Sequence, residues 1–365
     1  MSYLRILFML AIGLLLGVSP TLAANYAVGT CKPSLPSFTT ISAAVSTVPP
    51  GSTVLVCPGT YPEQVTIAQP LTLKGITSGN AGQAVITVPD SGLTAVTTGF
   101  GESIAAQVAV TATAGPVNIS DITVDATGNT VGGYPTWLAG IVYDDGSSGT
   151  VNEVTVRNLS NSGAAVGVWA ENASATNQSV TIENSSFHDI DGSGVITLGS
   201  TLLATVKGNT VQGGLIQVSV NSGGSVTANV LNDSAYDGIF VDGPITVSGN
   251  TVNNPIIGIE ALGGVTATSN KISNASYGVF DDGGGNTYKS NTITKAGVGI
   301  EFNCRTPTVL SNTINDATTG LNDVPASFSG ANSFNNVVTL RTDGCGFRPT
   351  PPAAPQSGPL RAPVH

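Results

Sequence analysis

The stretch SGNTVNNPIIGIEALGG, residues 248–264, recurs along the chain at a nearly fixed spacing. Asn250 stands before a short apolar segment, and Gly258 opens a second one. Asn229, Asn270, Asn291 and Asn312 hold the asparagine slot in neighbouring copies, with steps of 21, 20, 21 and 21 residues from 229 to 312. Gly238, Gly278, Gly299 and Gly320 hold the glycine slot. Looser copies lie upstream: Asn158 with Gly167, Asn184 with Gly194, Asn209 with its glycine displaced, and Asp121 with Gly140. A period of about 20 residues marks a stacked, one-dimensional architecture.

Twenty residues at about 3.3 Å each cannot run straight and return in register. The chain must coil, so that equivalent residues stack about 4.8 Å apart as neighbouring parallel strands. Val252 and Ile259 fall on separate short strands divided by an Asn-Asn-Pro turn. Parallel crossovers prefer the right hand. The expected fold class is all-β: a single-stranded right-handed parallel β-helix with an N-terminal helical cap. The recurring asparagine suits a corner, because it tolerates the left-handed backbone. Its amide can also donate to the next asparagine along the stack, giving a ladder of Asn229, Asn250, Asn270, Asn291 and Asn312. The recurring glycine marks a place where backbone approaches closely.

Composition supports this and narrows function. Charged residues are only 9% and hydrophobic residues 41%, so the chain is not of the disordered kind. Twenty-two acids oppose 12 bases, a formal charge of −10. Such a chain offers no basic patch to nucleic acid and is repelled by an anionic membrane.

Residues 1–24 read as a signal peptide, with Arg5 before the 13-residue apolar run Ile6–Val18 and small residues after it. The mature chain is then expected to be secreted or periplasmic, with no membrane segment. Residues 25–50 form the cap, where Ile41, Ala44 and Val45 have helical spacing before a Pro-Pro-Gly stop. Residues 51–348 form the β-helix, the last of them, from 326, closing the far end with Cys345 as a pin. Residues 349–365 hold six prolines and read as a disordered tail. Export makes disulfides plausible. Cys31 with Cys57 and Cys304 with Cys345 is the simplest pairing, among three possible connectivities. Neither pair has zinc-ligand spacing.

The opening VLVCPGTYPEQVTI and the Asn and Gly-Ile repeats resemble the right-handed parallel β-helix, or pectin-lyase-like, superfamily over roughly residues 27–345. The resemblance implies the fold, and a scaffold that carries lyases, hydrolases, esterases, epimerases and adhesins alike. The enzyme motifs of its subfamilies are incomplete. There is no Gln-Asp pair. Asp144-Asp145 and Asp281-Asp282 lack the companion histidine and arginine motifs, and Arg305 begins RTPTVL without a second arginine. Whether the protein is an enzyme stays open.

If the residue after each glycine points inward, the second and fourth point outward. The second row reads Val142, Trp169, Ile196, Phe240, Glu260, Phe280, Glu301 and Asn322. The fourth reads Asp144, Glu171, Leu198, Asp242, Leu262, Asp282 and Asn303. Rings beside carboxylates suit a sugar polymer, since rings stack on pyranose faces and carboxylates accept from hydroxyls. Longer loops at 126–139 and 171–178 flank a cleft over Asp144, Trp169 and Glu171, with Tyr134 and Trp137 on one wall. In a hydrolase, Asp144 or Asp145 with Glu171 would supply acid and base. The Asp-Asp-Gly runs at 144–146 and 281–283 could hold Ca²⁺, although no EF-hand is present; no other cofactor is implied. Outward acids also serve simply to deter edge pairing.

The expectation is an exported β-helix that binds polysaccharide or a cell-surface glycan, neutral sugars above polyuronates, by way of Tyr134, Trp137, Trp169, Phe240, Glu260, Phe280 and Glu301. The alternatives are a non-catalytic structural or adhesive scaffold, and a glycoside hydrolase or lyase. Scarce Lys, Arg and His weigh against a lyase, because proton abstraction beside a uronate usually wants a cation. The oligomeric state is not set by the sequence.

Overall fold

A computed structural model describes residues 23–344, except 78–82, 99 and 134. The signal segment up to residue 22, Tyr134, Cys345 and the tail 349–365 therefore lie outside the described residues. The chain coils as three short strands per turn. After Asn250 come Thr251–Asn253, Ile257–Gly263 and Thr266–Thr268, and the next turn starts at Lys271–Ser273. Successive turns pair in parallel register, with Thr251 opposite Lys271, Ile259 opposite Val279 and Thr266 opposite Thr287. Among the described residues the pairings make a sheet of 24 strands and one of 12.

The three-residue strands explain themselves. In Thr-Val-Asn, Thr-Ala-Thr or Thr-Ile-Thr the middle residue faces the bore and the flanking polar residues face out. Val252, Ala267, Ile293 and their stacked equivalents are fully buried and make one continuous core. β-Branched side chains fit such a pleated, half-buried surface.

The asparagine column is continuous. Asn229 Nδ2 donates to Asn250 Oδ1 at 2.9 Å, Asn250 to Asn270 at 2.9 Å, Asn270 to Asn291 at 2.9 Å and Asn291 to Asn312 at 3.0 Å. The second amide hydrogen goes to the carbonyls of Val206, Val226, Val247 and Ala267 respectively. Each Oδ1 also accepts the backbone N–H of the asparagine before it. The column runs on to Asn332, and at its other end through Asn209 to the backbone N–H of Ser185.

Two local expectations are corrected. The left-handed corner is not the ladder asparagine but the residue before it: Ala228, Gly249, Ser269, Ser290 and Ser311 have φ of 55, 64, 57, 56 and 58°. A second left-handed corner follows at Asp233, Asn254, Asn274, Lys295 and Asp316. The ladder residue is free of the corner because its amide must point inward. In the looser copies, Asp121, Asn158 and Asn184 are themselves such corners, with φ of 58, 59 and 51°. Ser185 holds the ladder slot beside Asn184 and accepts from the Val154 N–H.

The glycine slot has a steric cause. A Cβ on Gly258 would lie 2.4 Å from the Gly278 carbonyl oxygen and 2.5 Å from the Ile272 side chain. Gly258→Ala should therefore lose about 1–3 kcal/mol of stability by overpacking, read from the denaturation midpoint. In the copy with the displaced glycine, Gln217 fills the slot, and its amide donates to the Gly213 and Asn232 carbonyls.

At the N-terminal end the helix Ile41–Thr47 buries Ile41, Ala44 and Val45 against the first turns. Thr40 caps it by accepting from the Ala43 N–H. The Glu63 carboxylate accepts from the Ile41 and Ser42 N–H groups, at 2.9 and 2.8 Å, where negative charge suits a helix start. A Cys31–Cys57 disulfide ties the same region. At the other end Ser333–Asn335 and Thr339–Asp343 form one more turn in register with the one before, and the rest of the segment expected to close that end, from residue 345, lies outside the described residues. Cys304 is described, whereas Cys345 is not. No helix of the described residues is long and apolar enough to cross a membrane.

Candidate functional site

The second-position row is a single straight line of register partners. Val142, Trp169, Ile196, Ser219, Phe240, Glu260, Phe280, Glu301 and Asn322 lie opposite one another in turn. Ser219 enters through the Gln217 copy, where the missing glycine hid it. The row is much more covered than an outward position suggests. Glu260 is 0% exposed between Phe240 and Phe280, which are each 4% exposed. Stacked at strand spacing, large side chains shield one another. Phe280 also packs edge-on against Tyr277, with centroids 5.5 Å apart. Glu301 accepts from Asn322 Nδ2 at 2.7 Å and from the Asn303 N–H at 3.0 Å, while burial pushes its pKa up.

One open region stands out on this face, a cleft of about 700 Å³. Phe100, Trp137, Trp169, Ile196 and Leu198 form its apolar side. Asn172, Ser200, Thr201, Ser219, Asn221 and Ser222 supply hydroxyls and amides, and Glu102 and Asp242 are the only ionisable groups of the lining among the described residues. The two indoles pack against each other with centroids 5.4 Å apart and planes tilted by 58°. Their N–H groups are spoken for: Trp137 Nε1 donates to Glu102 Oε2 at 3.1 Å, and Trp169 Nε1 to Glu171 Oε2 at 2.8 Å. Trp137 and Trp169 are 6% and 2% exposed, so they form a floor rather than free platforms.

Asp144, Asp145 and Glu171 do not line the cleft. Asp145 Oδ1 accepts from the Ala173 and Ser174 N–H groups, both at 2.8 Å, and so shapes the loop after the Trp169 strand. Asp144 Oδ1 accepts from the Asp145 N–H. Glu171 is fully buried; desolvation raises its pKa and the nearby Asp144 adds to the rise. The two Asp-Asp-Gly runs likewise turn oxygens to the protein. Asp281 accepts from Tyr288 and Asn286, and Asp282 from Asn303. Among the described residues no group of three or more His, Cys, Asp or Glu side chains converges.

Phe100 and Glu102 were not legible as site residues. They come from a hairpin in which Ala95–Thr97 pairs antiparallel with Ser103–Val110. Its segment, SGLTAVTTGFGESI, carries no copy of the repeat. The available signal was that break in period, together with the glycines that turn a hairpin.

Coil, ladder and register define a right-handed parallel β-helix. The family model for the right handed beta helix region matches residues 107–269. Among solved structures, the chain is similar to a GH136 lacto-N-biosidase from Eubacterium ramulus, with a TM-score of 0.60 and 9% identity over 87% of this chain and 68% of that one. It is also similar to the catalytic domain of a GH87 alpha-1,3-glucanase crystallised with tetrasaccharides, with a TM-score of 0.55 and 13% identity over 88% of this chain and 66% of that one. The chain thus spans about two thirds of each, and the likeness is one of fold. A comparison with curated proteins gave no match.

Proposed function

We propose that the protein is an exported β-helix that binds a neutral glycan in the cleft walled by Phe100 and Glu102. The observation that carries this is the lining itself. An apolar floor lies beside hydroxyls and amides, the mixture that the two faces of a sugar ring require. Glu102 and Asp242 accept from sugar hydroxyls, and with no cation among the described residues of the lining they disfavour a polyuronate. Export is supported by the apolar run at the N-terminus and by the Cys31–Cys57 disulfide.

Calorimetric titration of a panel of neutral and uronate oligosaccharides tests the reading. A neutral member should bind. Asn221→Ala and Asp242→Asn should each weaken it about tenfold without moving the melting temperature, as for one lost hydrogen bond to a polar ligand. Retention of no glycan, or unchanged affinity in both variants, would leave the scaffold reading in its place. Cleavage is a second reading, favoured by one observation: two carboxylates, Glu102 and Asp242, line the same cleft. New reducing ends that vanish in Asp242→Asn would support it.

A further inference from the structure

Glu171 is at once wholly buried, ionisable and absent from the cleft lining. Its two oxygens reach two different pieces of chain. Oε2 takes the Trp169 indole N–H at 2.8 Å, from its own strand. Oε1 takes the backbone N–H of Phe100 at 3.4 Å, from the hairpin that no repeat copy supports. The base of that hairpin is fixed elsewhere. Gln64 Nε2 donates to the Thr94 and Ala106 carbonyls, and Gln64 Oε1 accepts from the Thr94 N–H, each at 2.9 Å. Near its turn the polar ties to the coil among the described residues include the Phe100–Glu171 bond and the bond between Glu102 and Trp137, and the Thr98 side chain also faces Glu171. Phe100 adds its ring to the apolar cluster of Trp137, Trp169, Ile196 and Leu198.

We propose that Glu171 is a positioning residue of the cleft: its carboxylate holds the Trp169 indole and the Phe100 amide together, and so sets the wall that Phe100 and Glu102 present to a ligand. The acidic groups facing it are Asp144, near the end of the neighbouring strand, and Glu102 on the adjoining indole; among the described residues no Lys, Arg or His lines the cleft. An ionised Glu171 serves both donors with charge-assisted bonds. A glutamine keeps one acceptor oxygen and can serve only one of them well.

The chain's two tryptophans are Trp137 and Trp169, so tryptophan emission reports on this place alone. The wild-type emission should titrate with a midpoint above the ordinary glutamate value of 4.5, because burial disfavours the ionised form. In Glu171→Gln that step should disappear, and acrylamide should quench the emission more readily while the melting temperature changes little. In Phe100→Ala the step should remain but move down toward 4.5, since water then reaches the carboxylate; this variant carries the test if Glu171→Gln does not fold. A Glu171→Gln protein that keeps the step or the wild-type quenching would overturn the assignment, as would an unmoved midpoint in Phe100→Ala. The affinity arm alone rests on the glycan-binding reading: Glu171→Gln should weaken a bound neutral glycan about tenfold. Wild-type protein that shows the expected titration and quenching but binds no glycan leaves the anchoring role standing and removes the binding reading.

Discussion

Asn250→Ala is expected to lose about 3–5 kcal/mol of stability, a large share of what a domain of ordinary stability has. The side chain makes four buried bonds. It accepts from the N–H and Nδ2 of Asn229, and it donates to Asn270 Oδ1 and the Val226 carbonyl. Alanine leaves the Asn229 N–H, one Asn229 amide hydrogen and the Val226 oxygen without those partners, in a place water does not reach. Each buried orphan costs about 1–3 kcal/mol, and neighbouring losses overlap. Asn254→Ala is the control, because it changes an exposed left-handed corner and costs only about 1–2 kcal/mol. Urea denaturation of the two variants gives the comparison. Equal losses would mean that the column adds nothing beyond its corners.

The second large effect is expected at Asp281. In the third place after the glycine its side chain faces the bore, in register with Ala261, and it is 0% exposed. It accepts from Tyr288 Oη at 2.7 Å and from Asn286 Nδ2. Its other oxygen is buried and makes no hydrogen bond. Desolvation raises its pKa from 3.8 to about 6, against the pull of those two donors and of Arg305; Asp282 adds to the rise. The folded protein thus keeps a proton that the unfolded chain releases. The stability this gives is complete below about 3.8 and is lost as pH rises through about 6. At neutral pH the buried charge costs about 3 kcal/mol. Asp281→Asn should remove the pH dependence in that window and be about 2–3 kcal/mol more stable than wild type at pH 7. A difference between the two proteins that stays constant from pH 3 to pH 7 would refute the assignment.

Most of the fold could be read from the chain because one rule repeats. The ladder slot is selected by chemistry, since an amide alone can donate and accept along the stack, so Asn229, Asn250, Asn270, Asn291 and Asn312 stand out. The corner before each is selected only by shape. Ala228, Ser269, Ser290 and Ser311 adopt it as readily as Gly249 does, so no residue type announces it. The same difference explains the looser copies, where a corner asparagine such as Asn158 or Asn184 imitates the ladder. The outward row was legible as a line but not as a covered one. Alternation tells direction, and says nothing of whether Phe240 and Phe280 close over Glu260. The cleft was half legible. Trp137 and Trp169 lie on strands of the repeat and Asp242 directly follows one, whereas Phe100 and Glu102 arrive on a hairpin outside it. Glu171 was read as a candidate acid or base from its position in the row. One of its two donors, the Phe100 N–H, comes from that hairpin, which the period does not encode.

The amide column has a bearing on how such a chain can change over generations. Cutting out the residues between one rung and the next, for instance 250–269, joins Asn229 to Asn270 with every carbonyl and amide again facing a mate. Losing a single residue inside a strand rotates the rest of that strand by half a pleat and breaks the stack at that level. Length in this molecule is therefore counted in whole storeys. Duplication and deletion by the storey leave the stack sound, and a smaller change is absorbed at a corner, as rungs set 20 and 21 residues apart show.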